Sequence, residues 1–256
     1  MCDNTTTEEQ IPYAPKVVFV CGPIYRCGST LMQRVLNSHP EILIYGEDNN
    51  IIKLGRVTIA SQNGRREAAT KQDAEFRINN SCWQANLGEA RDAYTKAYGV
   101  YISQILLSPQ RAENLNRDIF KTKYVGCKSL FNTPEDIQFL KWLLPSSKII
   151  YCARNFGECA RSYMKQEWAT ITLPDLLRMW SASMDALDEA RHDIDLVIDY
   201  KPHFDTDEIV DALEGILPNI TFDRTKVKAV LDNKIVFEKG KPVKEDKDLK
   251  GWMQYL

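Results

Sequence analysis

The chain has 256 residues, 44% of them hydrophobic and 27% charged, which allows one substantial buried core and is ordinary for a globular protein. A formal net charge of −2 argues against a broad electrostatic grip on nucleic acid or anionic lipid. No run of about 18 apolar residues marks a membrane span, and the polar, acidic start Met1–Gln10 lacks the basic flank and apolar stretch of a secretory signal.

Residues 1–15 read as a loose leader ending at Pro12 and Pro15. Lys16-Val-Val-Phe-Val-Cys21 is a continuous apolar run rich in β-branched residues, which suits a central strand buried on both faces. Gly22 and Pro23 break it, and after Gly28-Ser-Thr30 the spacing of Leu31–Leu36 is helical. A second strand is expected at Glu41–Tyr45. Residues 50–122 are polar and mostly helical in pattern, and read as an insertion or a substrate-side region.

Regular order returns with a short strand at Lys123–Lys128. Thr133-Pro-Glu-Asp136 starts a helix with a capping residue, Pro at the first position and acids in the first turn. That helix runs to about Leu144, and Pro145 stops it before the strand Lys148–Ala153. Helices at about 156–166 and 174–191, a strand at Asp195–Asp199, and helices near 206–216 and 224–232 complete the chain. Strands alternating with helices predict an α/β fold with a parallel sheet covered on both faces, in a single domain spanning 16–256.

Seven cysteines, an odd number with no CxxC pair, several within strand-like runs, read as buried free thiols of a reducing compartment and place the chain in the cytoplasm.

The segment Cys21-Gly-Pro-Ile-Tyr-Arg-Cys-Gly-Ser-Thr30 has the parts of an anion site. A strand turning through glycine into a helix leaves free N–H groups pointing outward, with the helix dipole favouring negative charge. It is not a nucleotide triphosphatase loop: Gly22 and Gly28 have five residues between them, and no Lys follows Gly28. The cation of the loop is Arg26, before the second glycine.

Arg26-Cys-Gly-Ser-Thr-Leu-Met32, then Asn37-Ser-His-Pro-Glu-Ile42 and Gly46-Glu47, resembles the 5′-phosphosulfate loop of sulfotransferases that use 3′-phosphoadenosine 5′-phosphosulfate (PAPS), most nearly the tyrosylprotein and bacterial branches. The strand Ile149–Arg154 followed by Ser162 eight residues on resembles the family's 3′-phosphate motif. Gly126-Cys-Lys128 resembles its G-x-K segment, and Lys250-Gly-Trp-Met-Gln-Tyr-Leu256 its G-R-W-x-x-Y-L ending. Val197-Ile-Asp-Tyr200 stands where relatives have a strand ending in Tyr-Glu, whose Tyr often lies near the adenine. The resemblance covers 16–48 and 123–200 well, and the last seven residues loosely. It departs from the family at Gly22-Pro-Ile-Tyr-Arg26, one residue longer than the usual Gly-x-Pro-Arg, and at Cys27, where Ser or Thr is usual.

The resemblance implies a single-domain, P-loop-type, three-layer α/β fold and transfer of a sulfuryl group from PAPS to a hydroxyl or amine, leaving the 3′,5′-bisphosphate PAP. The acceptor is left open between a small molecule, a glycan and a peptide. It implies PAPS binding by Arg26, Cys27, Gly28, Ser29, Thr30, Arg154, Ser162, Tyr200, Lys250, Gly251 and Trp252, with no metal. Arg and Ser suit this task, since a guanidinium is a planar fork matched to phosphate oxygens. Sulfuryl transfer is governed by positioning and electrostatics, so cations are needed around the transferred group, and Arg26 and Lys128 take that role.

For the base, the histidine that the cytosolic branch carries two residues after the lysine is replaced here by Leu130. His39 reads as a structural residue at a helix end, and His192 and His203 as solvated. Glu47, at the C-terminal end of the second strand and matching the catalytic Glu of the tyrosylprotein branch, is the expected general base. Trp168, Trp180 and Met184 read as helix-packing residues, and Lys239 and Lys241 as members of a charged loop. Trp83, Tyr94, Tyr98 and Tyr101 are candidates for an acceptor pocket. Two alternatives stand beside this reading: a small-molecule kinase on a P-loop scaffold, and a non-catalytic module that only holds PAP or another nucleotide.

Overall fold

The computed structural model describes residues 16–47, 87–113, 115–201 and 203–233. The leader, most of the stretch 50–122 expected to shape the acceptor side, the charged run with Lys239 and Lys241, and Lys250, Gly251 and Trp252 lie outside the described residues.

In chain order the elements are β1 (Lys16–Gly22), α1 (Ser29–Asn37), β2 (Ile42–Glu47), α2 (Leu87–Leu106), α3 (Pro109–Glu113), β3 (Tyr124–Leu130), α4 (Pro134–Leu143), β4 (Lys148–Ala153), α5 (Phe156–Tyr163), α6 (Leu173–Glu189), β5 (Leu196–Asp199), α7 (Thr206–Ile216) and α8 (Arg224–Asp232). The five strands form one sheet in the order β2-β3-β1-β4-β5, every pair parallel. The expected parallel α/β architecture is therefore present.

Alternation along β1 explains the layers. Val18 and Val20 point into a core shared with α1, α5, α7 and α8, including Leu36, Tyr163, Leu213 and Val227. Val17, Phe19 and Cys21 point to the other face, against Ile102 and Leu106 of α2 and Ile137 and Leu140 of α4. A strand covered on both sides has no polar face, which is why β1 and β4 read as apolar runs and β3, buried throughout, turns polar only at Lys128 and Ser129. Gly126 lets β3 lie tight on β1, because a Cβ there would run into the Val18 carbonyl oxygen.

β1 sits at the centre, and its chain leaves toward β2 while β3 crosses over to β4. That reversal opens a crevice beyond the C-terminal ends of β1, β3 and β4, the place where open α/β sheets hold ligands. Helix starts elsewhere are sealed by side chains: Asn155 accepts from the Gly157 N–H, Asp205 from Asp207 and Glu208, and Asp223 from Thr225 and Lys226. The start of α1, facing the crevice, is not.

Candidate phosphate-binding cleft

The loop between β1 and α1 absorbs its extra residue by splitting its side chains. Ile24 and Cys27 are fully buried in the core, while Tyr25 turns outward. Arg26 takes up the reversal with φ 69°, and Gly28 with φ 104°. Gly28 is the N-cap of α1 and offers no side chain, the first turn carries no acid, and the first intrahelical bond is Met32 N–H to the Gly28 carbonyl at 3.1 Å. The N–H groups of Ser29, Thr30 and Leu31 precede that bond; that of Ser29 meets the Cys27 thiol, and no N-cap side chain covers the positive end of the helix at the cleft.

Lys128, only 6% exposed, ends beneath this helix start. Its Nζ donates to Thr30 Oγ1 at 3.0 Å and to Glu47 Oε1 at 3.3 Å. A register shift between Tyr45 and Glu47 puts Glu47, rather than Gly46, opposite Lys128. Such a bulge re-aims a side chain at a strand end. β2 therefore runs two residues further than the spacing predicts, and it delivers the carboxylate to the cation.

A second cationic set lies on the other side of Gly28. Arg154, at the end of β4, donates from Nη1 to the Arg26 carbonyl at 2.8 Å and from Nε to Glu158 at 3.0 Å. Its guanidinium carbon stands 3.9 Å from the centroid of the Tyr200 ring, within cation–π range. The Arg154 carbonyl accepts from Trp180 Nε1 at 3.0 Å, which anchors the strand end. Arg26 turns its Nε to Ser162 Oγ at 3.0 Å, joining this set rather than Lys128. Burial lowers the Arg26 pKa and the neighbouring Arg154 charge lowers it further. Two half-buried guanidiniums held this close would gain from an anion between them.

Tyr200 stands between the two sets. Its Cδ2 is 2.7 Å from where a Cβ on Gly28 would lie, so the close approach requires glycine at that position. Tyr200, the residue expected near an adenine, is a wedge between the helix start and Arg154.

A cleft of about 500 Å³ runs past these groups, lined by Arg26, Gly28, Ser29, Thr30, Glu47, Arg154 and Tyr200 among the residues singled out from sequence. Lys128 and Ser162 stand behind its wall, bonded to residues that line it. The Cys27 thiol faces the core and burial pushes its pKa up, so this residue offers a ligand its backbone only.

The histidines behave differently from one another. His39 is structural as expected: its Nδ1 accepts from the Glu41 N–H at 3.1 Å, its ring meets Phe222, and burial lowers its pKa. His192 is exposed beside Asp193. His203 is exposed too, but it lines the cleft.

Tyr25 and Trp168 are among the lining residues that the sequence did not mark for the site. Tyr25 lay in a departure from the family pattern, and Trp168 was assigned to helix packing. α5 ends at Tyr163, three residues sooner than its periodicity predicts, and Trp168, in the loop that follows, is 49% exposed at the cleft. Trp180 does lie on α6, with Met184 in the same helix. Tyr98 packs against the α2–α4 side of the core and Tyr101 stands 53% exposed beside it; neither lines this cleft. No helix among the described residues is long and apolar enough to cross a membrane.

A family model described as the sulfotransferase family matches residues 15–205. No curated protein matches the chain. Among solved structures, the crystal structure of sulfotransferase STF1 from Mycobacterium tuberculosis H37Rv is similar at 15% identity and a TM-score of 0.42, over 85% of this chain and 70% of that one. With well over half of its length matched, the chain belongs to the sulfotransferase family.

Proposed function

We propose that this chain is a PAPS-dependent sulfotransferase that sulfates a hydroxyl, with Glu47 as the general base. The observation that carries the reading is the presence of two separate cationic sets around one glycine: the uncapped start of α1 with Lys128 and Thr30, and Arg26 with Arg154 and Ser162. A ligand with two phosphate groups on one nucleoside would engage both sets, and the missing side chain at Gly28 lets Tyr200 stand between them.

PAPS bound there supplies an activated sulfuryl group, whose S–O bond to the 5′-phosphate breaks as the acceptor oxygen attaches. Ser29, Thr30 and the α1 N–H groups hold the 5′ end. Lys128 offsets the charge that collects on the departing phosphate, acting from a buried position where its field is screened little. Arg154, Arg26 and Ser162 hold the 3′-phosphate. Arg26 was expected at the transferred group, but its Nε bond to Ser162 favours the 3′ end for its side chain. Lys250, Gly251 and Trp252 keep their assigned role at the nucleotide as part of the proposal.

Glu47 receives the acceptor proton. It lines the cleft, and its bond to Lys128 keeps the carboxylate oriented beside the helix start. In this reading residues 16–256 act as one domain and work in the cytoplasm, a reducing setting that suits the five buried free cysteines among the described residues.

Calorimetric titration with PAP tests the proposal. Wild type binds, and Arg154→Ala weakens binding by ten- to a hundredfold, from loss of a charge-assisted contact of about 1.5–3 kcal/mol. A folded wild-type protein that does not bind PAP would end the sulfotransferase reading.

A further inference from the structure

The extra residue of the first loop has built something at the Glu47 end of the cleft. Tyr25 lies parallel to Tyr163, with ring centroids 5.9 Å apart and planes 7° apart, and takes Phe131 edge-on at 4.7 Å. Trp168 stands edge-on to both Tyr25 and Tyr163 at 5.4 Å. Phe131 is held at φ 59°, a left-handed conformation unfavourable for a bulky residue, and its N–H donates to the Gly22 carbonyl at 3.1 Å. Strain of this kind persists where the surroundings fix a side chain in place, and functional sites are enriched in it.

One exposed tryptophan would mean little by itself. This one is fixed. The buried Tyr163 hydroxyl accepts from the N–H groups of both Thr170 and Ile171 at 3.0 Å, and Ala169 N–H bonds to Gln166 at 3.1 Å. Trp168 is therefore presented on a tied loop, facing the same cleft as Glu47 and Tyr25. The Tyr25 hydroxyl has its pKa raised by burial and then by the charge of Glu47, in keeping with that proximity. Rigid aromatic surface already in position binds a flat ring at little entropic cost. Against a polyhydroxyl acceptor the two rings offer just the Tyr25 hydroxyl and the Trp168 indole N–H, fewer partners than its hydroxyls require.

We propose that Tyr25 and Trp168 form the acceptor wall of this cleft, and that the acceptor carries its reactive hydroxyl on an aromatic ring. The inference rests on the sulfotransferase reading, because it takes Glu47 as the base that such a hydroxyl must reach.

The test is calorimetry on protein saturated with PAP, titrated with 2-naphthol (a neutral phenol) and separately with methyl glucoside. The expected result is saturable 2-naphthol binding that weakens about tenfold in Trp168→Ala and returns to within about threefold in Trp168→Phe. PAP affinity stays equal in all three proteins, which also shows that the variants fold. Equal 2-naphthol affinity in wild type and Trp168→Ala overturns the inference, as does absence of 2-naphthol binding to PAP-loaded wild type. Methyl glucoside binding that depends on Trp168 overturns it in favour of a sugar acceptor. Loss of PAP binding in Trp168→Ala overturns it by assigning Trp168 to the nucleotide end. Failure of wild type to bind PAP is read out in the first step and removes the parent reading itself.

Discussion

Gly28→Ala concentrates the geometry of the cleft into one methyl group. The backbone there has φ 104° and ψ −3°, and an L side chain in left-handed territory costs about 1–2 kcal/mol. Against this, alanine lowers the entropy of the unfolded chain, a gain of about 0.4–1 kcal/mol. The methyl would also stand 2.7 Å from Tyr200 Cδ2, where ordinary contact begins at 3.4 Å, so the ring must retreat by about 0.7 Å. It has little room: Arg154 lies over its face at 3.9 Å, and Phe204 meets it edge-on at 5.5 Å. Overpacking of this sort costs about 1–3 kcal/mol. The net destabilisation is about 1–5 kcal/mol, which for a chain of this size lowers Tm by about 2–18 °C. Because Tyr200 moves against Arg154, PAP affinity falls as well. Thermal unfolding by circular dichroism and PAP calorimetry read the two effects. Gly28→Ala combined with Tyr200→Ala separates their causes: with the ring gone the methyl is accommodated, and the double variant is more stable than the sum of the singles predicts by about 1 kcal/mol. Additive effects would show that the ring and the loop do not press on each other. A Gly28→Ala protein with wild-type Tm and PAP affinity would refute the whole geometric argument.

Two further outcomes follow from single side chains. Glu47→Gln keeps shape and hydrogen bonding but accepts no proton, so turnover of PAPS with a competent acceptor falls by about 10²–10⁴-fold while PAP affinity changes by a few-fold at most. Turnover within threefold of wild type would mean that another group is the base. At the opposite, N-terminal edge of the sheet, Asp195 accepts from Lys141 at 2.7 Å, Lys148 at 2.9 Å and the Ile149 N–H at 2.9 Å. Burial pushes its pKa up, but these bonds outweigh that and hold it below the usual carboxylate range. Asp195→Asn therefore destabilises by about 1–3 kcal/mol at neutral pH without touching PAP binding. With the folded pKa depressed, the contribution of Asp195 is complete above its unfolded value, near 3.9, and fades as pH falls through the folded one. Urea unfolding should show the gap between variant and wild type closing below about pH 4; a gap that persists at lower pH would count against the ion-pair account.

The sheet was legible because burial on both faces leaves an unmistakable trace. β1, β3 and β4 carry no polar alternation, and Thr133-Pro-Glu-Asp136 announces α4 by chemistry that belongs to a helix start: the Asp136 carboxylate does accept from the Thr133 N–H at 3.0 Å. The boundaries that slipped did so for local reasons. β2 reaches Glu47 through a bulge, and a bulge has no pattern in a sequence. α5 ends at Tyr163 because the Tyr163 hydroxyl takes N–H groups of the following segment, a tertiary contact made with the ring that also stacks on Tyr25.

The site divides along the same line. Glycine, arginine, serine and threonine of the two candidate anion-binding segments stand out in the sequence because phosphate chemistry favours those residue types at helix starts and strand ends, and the fold brings both segments to one cleft. What those segments do together was not legible. Nothing in the spacing says that Arg26 bonds to Ser162, or that Tyr200 stands against Gly28 and under Arg154, since each contact joins segments that are far apart in the chain. Tyr25 and Trp168 are the sharper case. An aromatic residue carries the same signal whether it fills a core or walls a cleft, and periodicity favoured the core. The informative feature was the loop that did not fit: one residue beyond the family's usual length, placed beside the strand end that carries Glu47, has to put a side chain somewhere. Ile24 went inward, whereas Tyr25 is partly buried at the edge of the core, against Trp168 and within the field of Glu47. A departure from a binding motif is thus a place to look for specificity, because the ligand common to the family constrains the rest of the loop and leaves only the added residue free to meet the acceptor.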